Sequence, residues 1–211
     1  MLKQISLLIL CAVAIVFFAT PVHACTSAVV SGKVTLDGRP LLWKNRDTDF
    51  MRNHVDYVKG ERYDFIAVVN SANAYLKEAW MGTNSAGFAL MNTQSYNLVD
   101  VKGDEERGAA NGRVIYRALE VCATVEDFCH FLDTISKPSD IEANFGVIDA
   151  QGGAAMFEVD YYKYVMYDAN NPKDAPYGYI ARTNFSFAGK VNEGAGYVRY
   201  MEADQVLMKA S

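Results

Sequence analysis

The chain has 211 residues, with 25 acidic and 20 basic side chains, a formal charge of −5 and 51% hydrophobic residues. That length and apolar content fit one domain with a sizeable core and exclude a disordered chain. The acidity, with Lys and Arg dispersed among carboxylates, excludes nucleic acid as a partner.

Residues 1–24 read as a secretory signal peptide. Lys3 supplies the positive start, Ile5 to Ala19 is apolar apart from Ser6, and Pro21-Val22-His23-Ala24 ends on a small residue. The apolar run is shorter than the ~20 residues a spanning helix needs, and no cluster of charge follows it. The expectation is therefore a periplasmic or secreted protein that meets the membrane only during export. Its mature domain, residues 25–211, begins at Cys25.

The mature sequence opens as a hairpin. Ser27 to Thr35 is rich in valine, Asp37-Gly38 is a turn signal, and Pro40 to Lys44 resumes the apolar pattern. Centred on Asp37-Gly38, the pairing sets Cys25 opposite Phe50 and leaves Asp47 three places away, ~10 Å along the strand. A bulge near Gly32 would be needed to bring the two together. Further strands are predicted at Asp64 to Val69 and Ala86 to Asn92. From Asn111 the period changes: Val114, Ile115, Ala118, Leu119 and Cys122 form one face of a helix. A second helix follows, with Thr124 and Asp127 as a capping pair, Phe128, Phe131, Leu132 and Ile135 as its buried stripe, and Pro138 beyond its end. Strands return at Asn144 to Ala150 and Ala154 to Asp160 around the turn Gln151-Gly152-Gly153, then at Tyr161 to Tyr167 and Tyr177 to Thr183. An amphipathic helix near Tyr197 to Lys209 closes the pattern. Strands, two helices and strands again make an α+β domain of antiparallel sheet with helices laid on its face.

Cys25 is the chemically telling residue. Cleavage after Ala24 gives it a thiol and a free α-amine together. An α-amine with an ordinary pKa of ~7.7 to 8.0 accepts a proton at working pH, and a thiol near ~8.5 needs only modest help to ionise. One residue can then supply nucleophile and base. Of the three cysteines left after cleavage, Cys122 and Cys129 either pair with each other or pack as two free thiols on helices. Asp47, in the stretch Asn45-Arg46-Asp47-Thr48-Asp49, either holds the α-amine by a charge-assisted hydrogen bond or ends a polar strand.

Cys25-Thr26-Ser27 followed by Lys44-Asn45-Arg46-Asp47 resembles the start of the choloylglycine hydrolase and penicillin V acylase family and of the related acyl-CoA:isopenicillin N acyltransferases, which are N-terminal-nucleophile hydrolases. Gly82-Thr83-Asn84-Ser85-Ala86-Gly87-Phe88, leading to Asn92, is similar to the family segment that ends on an oxyanion-hole asparagine. Ala181-Arg182-Thr183-Asn184-Phe185 resembles its second asparagine segment, and Tyr197-Val198-Arg199-Tyr200 the block whose arginine lies beside the nucleophile. The resemblance implies a four-layered αββα fold. It implies Cys25 as nucleophile and base, Asp47 orienting the amine, Asn92 with backbone N–H groups as oxyanion hole, and Asn184 and Arg199 shaping charge around amine and leaving group. It also implies hydrolysis or transfer of a linear amide on a small N-acyl substrate, with no cofactor, and leaves homo-oligomers open. Lys44 stands where bile-salt-cleaving relatives carry arginine, which argues against that substrate. The family's chains run beyond the equivalent of Ser211, so the fold is expected to be truncated at its C-terminal end.

Two rival readings share Cys25. Val22-His23-Ala24-Cys25 loosely resembles a lipobox, which would make the protein a lipid-anchored periplasmic binding protein acylated at Cys25. A papain-like enzyme would need His54 or His130 as base. Two histidines and scattered cysteines show none of the close spacings of a zinc site.

Overall fold

The computed structural model describes residues 25–72, 74–99 and 108–210, so residues 1–24, read above as a signal peptide, lie outside the described residues. Strands β1 (Thr26–Val30), β2 (Leu41–Asn45) and β10 (Tyr179–Arg182) form a small antiparallel sheet in the order β10-β1-β2. A larger antiparallel sheet runs in chain order through β3 (Asn53–Val58), β4 (Phe65–Asn70), β5 (Met81–Asn84), β6 (Ala89–Gln94), β7 (Ala143–Ile148), β8 (Ala154–Val159) and β9 (Tyr164–Asp168). Helices α1 (Asn111–Val121) and α2 (Val125–Thr134) cover its far face, and α3 (Tyr197–Ala210) lies against β10 and β1. The layers are therefore α, β, β, α, as the resemblance implies.

Two apolar clusters bond the layers. Between helices and large sheet, Ile115, Leu119, Phe128 and Leu132 pack on Leu90, Phe145, Phe157 and Val159, all buried. Between the sheets, Val29 and Ile180 meet Met91, Ala154 and Met156. The predicted stripe of α1 is the buried face observed, and α2 opens with a reciprocal capping box between Thr124 and Asp127. α3 is the exception to the amphipathic expectation: none of its residues is buried, and Val198, Met201 and Val206 are exposed. It is held instead by Tyr197 stacked on Phe185 with ring centroids 4.1 Å apart, and by the Tyr179 hydroxyl donating to Asp204 Oδ1 at 2.8 Å.

The hairpin differs from its predicted register. β1 stops at Val30, and Gly32–Val34 forms a 3₁₀ turn capped by Ser31, so Val34 and Leu36 are exposed rather than paired. The chain turns back on itself so tightly that a Cβ on Gly32 would stand 2.3 Å from the Gly38 carbonyl oxygen. Thr26 consequently faces Asn45. One place further, Cys25 comes opposite Arg46 and beside Asp47, without the bulge that the two-residue turn would have required. Two strands escaped the sequence pattern: β3, whose residues are mostly exposed, and β5, a short run containing Gly82. Ala86 and Gly87 belong to the turn before β6 rather than to the strand. All three described cysteines are free, so Cys122 and Cys129 take the unpaired alternative.

Candidate active site

β5 begins at Met81 opposite Met91, whereas β6 continues through Asn92 to Gln94. Beyond the start of β5, where β4 and β6 run on without it, a cavity of about 560 Å³ opens. Cys25, Asp47, Asn92 and Asn184 all line it. The predicted residues thus come from the start of β1, the end of β2, the end of β6 and the segment after β10, and four of the five share one wall space.

Arg199 stands behind that wall. From the first turn of α3 its guanidinium donates through Nη1 to the Cys25 carbonyl and to Thr26 Oγ1 at 3.0 Å, and through Nη2 to Asn184 Oδ1 at 3.0 Å. Burial pushes its pKa down, and the negative charges of Cys25 and Asp47 oppose that shift. The arginine therefore ties the Cys25 backbone to the Asn184 amide. Asn184 is buried and spends one Nδ2 hydrogen on the Gln94 carbonyl at 2.9 Å. With Oδ1 taken by Arg199, its second N–H is the group it can offer a ligand.

Asn92 is set by Lys44. The lysine Nζ donates to the Trp80 carbonyl at 2.9 Å and to Asn92 Oδ1 at 3.1 Å. That contact assigns the amide's orientation and leaves Nδ2, a neutral donor, as the group Asn92 can offer a ligand. Burial lowers the Lys44 pKa to about 8; the negative charge of Cys25 works against the shift, and neighbouring Arg46 adds to it. Cys25 Sγ itself donates to the Asp47 backbone oxygen at 3.7 Å.

The remaining lining was not anticipated. Arg46 stacks over Trp80 at 5.1 Å from the ring centroid and donates to Asn70 Oδ1 at 2.8 Å, while Arg113 meets Glu78 at 3.5 Å at the mouth. Arg46 lies inside the Asn45-Arg46-Asp47 stretch and Lys44 just before it, so that motif was the available signal. Trp80, Glu78 and Arg113 sit on separate elements and carry no local one. His54 bonds Ser71 through Nδ1 at 2.9 Å on exposed β3, His130 lies on α2, and neither lines the cavity of Cys25.

The chain matches the N-acylethanolamine-hydrolyzing acid amidase ortholog of Caenorhabditis elegans with a TM-score of 0.63 and 15% identity, over 89% of this chain and 80% of that one. A mutant conjugated bile acid hydrolase from Clostridium perfringens matches with a TM-score of 0.53 and 14% identity, over 86% of this chain but 57% of that one. At these identities the likeness is one of fold, the N-terminal-nucleophile hydrolase fold. Among curated protein sequences the chain finds no match. The family model described as acyl-coenzyme A:6-aminopenicillanic acid acyl-transferase matches residues 35–200, well over half of the chain. The chain therefore belongs to that family and is an enzyme of the acyltransferase kind.

Proposed function

We propose that the protein is exported, trimmed between Ala24 and Cys25, and cleaves linear amides of small N-acyl substrates with Cys25 as nucleophile. The observation that carries this reading is the convergence of Cys25, Asp47, Asn92 and Asn184 on one cavity, with Arg199 gripping the Cys25 carbonyl from behind. In the trimmed chain the α-amine of Cys25 takes the thiol proton, and the thiolate attacks the amide carbonyl carbon. An S–C bond forms, and the carbonyl oxygen becomes an oxyanion bonded by Nδ2 of Asn92. Collapse breaks the C–N bond as the α-ammonium returns its proton to the departing amine, leaving a thioester. Water, deprotonated by the same α-amine, then attacks the acyl carbon; the S–C bond breaks and the carboxylic acid leaves. An acceptor amine in place of water gives transfer. Asp47 orients the α-amine. Arg199, a cation beside it, favours its neutral form.

The test is Cys25→Ser in the trimmed protein, assayed with penicillin V and N-lauroylglycine, with mass spectrometry of the mature N-terminus. The expected result is an unmodified N-terminal Cys25, an intact fold and loss of most turnover in the variant. Undiminished turnover, a different first residue, or a lipid on Cys25 refutes the reading.

A further inference from the structure

Beneath the cavity, Asn144 and Glu158 stand side by side on the large sheet, and neither has a part in the chemistry above. In register, Asn144 on β7 is the partner of Thr93 on β6 and of Glu158 on β8. Both side chains are buried. A buried primary amide is tolerated when its atoms are bonded, and here they are. Asn144 Nδ2 shares its two hydrogens among Thr93 Oγ1, the Thr183 carbonyl and the Phe185 carbonyl, each at 3.1 Å. Its Oδ1 accepts from Ser186 Oγ at 2.6 Å, and the two carbonyls, which can only accept, fix the direction of the amide.

The positions of those partners matter. Thr93 follows Asn92 in β6, and Thr183 and Phe185 flank Asn184. One side chain therefore joins the strand carrying the first cavity asparagine to both neighbours of the second. The segment from Thr183 to Ala188 lies outside the named strands; its isolated bridge runs from Asn184 to Ala195, not to β6. Side-chain bonds set its offset against β6 instead. Glu158 fixes the two ends of the same stretch, accepting from Arg182 Nε at 2.6 Å and from the backbone N–H groups of Phe187 and Ala188 at 2.9 and 2.7 Å.

We propose that Asn144 is a positioning residue that sets the placement of Asn92 relative to Asn184, and with it the geometry of the donors around the reacting carbonyl. This rests on the roles proposed above for Cys25 and the two asparagines. A side chain of similar volume without the amide would fill the space but leave the two donors free to shift, and a misplacement of about 1 Å costs ~100-fold in rate.

Two reagents separate positioning from mere support. p-Nitrophenyl acetate acylates the Cys25 thiolate through a tetrahedral oxyanion, with an S–C bond formed and p-nitrophenolate released. Iodoacetamide alkylates the same sulfur by displacing iodide, with no oxyanion. Both rates are read at the Cys25 peptide by mass spectrometry, in the trimmed protein and in Asn144→Ala, Thr93→Val and Ser186→Ala. The expected result is a ~100-fold loss of acylation in Asn144→Ala, with smaller losses of ~5-fold, the scale of one hydrogen bond, in the other two. Alkylation stays unchanged, and Thr93→Val adds nothing to acylation once Asn144 is gone. If Asn144→Ala fails to fold, the other two variants carry the test. Acylation and alkylation falling together, or a lowered melting temperature with their ratio unchanged, overturns the positioning role while Cys25 keeps its own. If Cys25 in the wild type reacts no faster with the ester than free cysteine, the nucleophile reading fails and this proposal falls with it.

Discussion

Replacing Lys44 by Met keeps the stem of the side chain and removes its ammonium, so stability and catalysis should move separately. The unfolded lysine holds its proton to about 10.4, whereas burial lowers the folded value from 10.5 to about 8. At pH 7 the buried charge therefore costs on the order of 3 kcal/mol, at 1.36 kcal/mol per pKa unit. The substitution removes that cost and leaves the Trp80 carbonyl and Asn92 Oδ1 without their donor, at ~1 to 3 kcal/mol each. Near pH 7 the two effects roughly cancel. Between pH 8 and 10.4 the unfolded wild type binds the extra proton, so its stability rises with pH, and in Lys44→Met this rise should be absent. Turnover should fall at every pH, because the Asn92 amide has lost the contact that directs it. Urea denaturation of both proteins from pH 7 to 10, with turnover of penicillin V alongside, makes the comparison. Parallel stability curves above pH 8, or a Lys44→Met enzyme with full turnover, would refute the reasoning.

Other perturbations reach the framework. Gly32→Ala forces a Cβ against the Gly38 carbonyl oxygen, and the loop that sets the β1–β2 register must shift; a stability loss of ~1 to 3 kcal/mol should come with a loss of turnover, read by melting and by the penicillin V assay. Glu158→Gln leaves the buried Arg182 without its ion partner at 2.6 Å and should cost ~3 to 5 kcal/mol in chemical denaturation. Thr124→Ala removes one half of the capping box of α2 and should cost about 1 kcal/mol, with turnover unaffected because α2 lies on the far side of the large sheet from the cavity.

The helices were legible because their information is local. Val114, Ile115, Ala118 and Leu119 mark one face by spacing alone, and Thr124 with Asp127 marks an end by hydrogen-bonding chemistry. The turn at Gln151-Gly152-Gly153 was legible for the same reason. The β1–β2 register was not, since Asp37-Gly38 signals that a turn exists but not that Gly32 to Val34 winds into a 3₁₀ turn first. β3 was hidden because its residues face solvent on much of their surface, so neither alternation nor an apolar run appears. In the candidate site, Cys25, Asp47, Asn92 and Asn184 at the cavity, and Arg199 behind it, were singled out through short motifs that resemble those of a family. Lys44 was read only as a departure from a pattern, and its hold on Asn92 exists only once β2 lies over β6. Asn144 gives no local signal either: an asparagine in a strand gains its meaning from the loop folded over it.

The clasp of Arg199 on Cys25 joins residues 174 positions apart. A pairing so distant in sequence forms only after nearly all of the intervening chain has found its place, since loop closure must precede the contact. With Cys25 in its proposed role, reactivity at the sulfur is thereby coupled to completion of folding: a half-folded molecule carries the thiol but not the arginine that grips it.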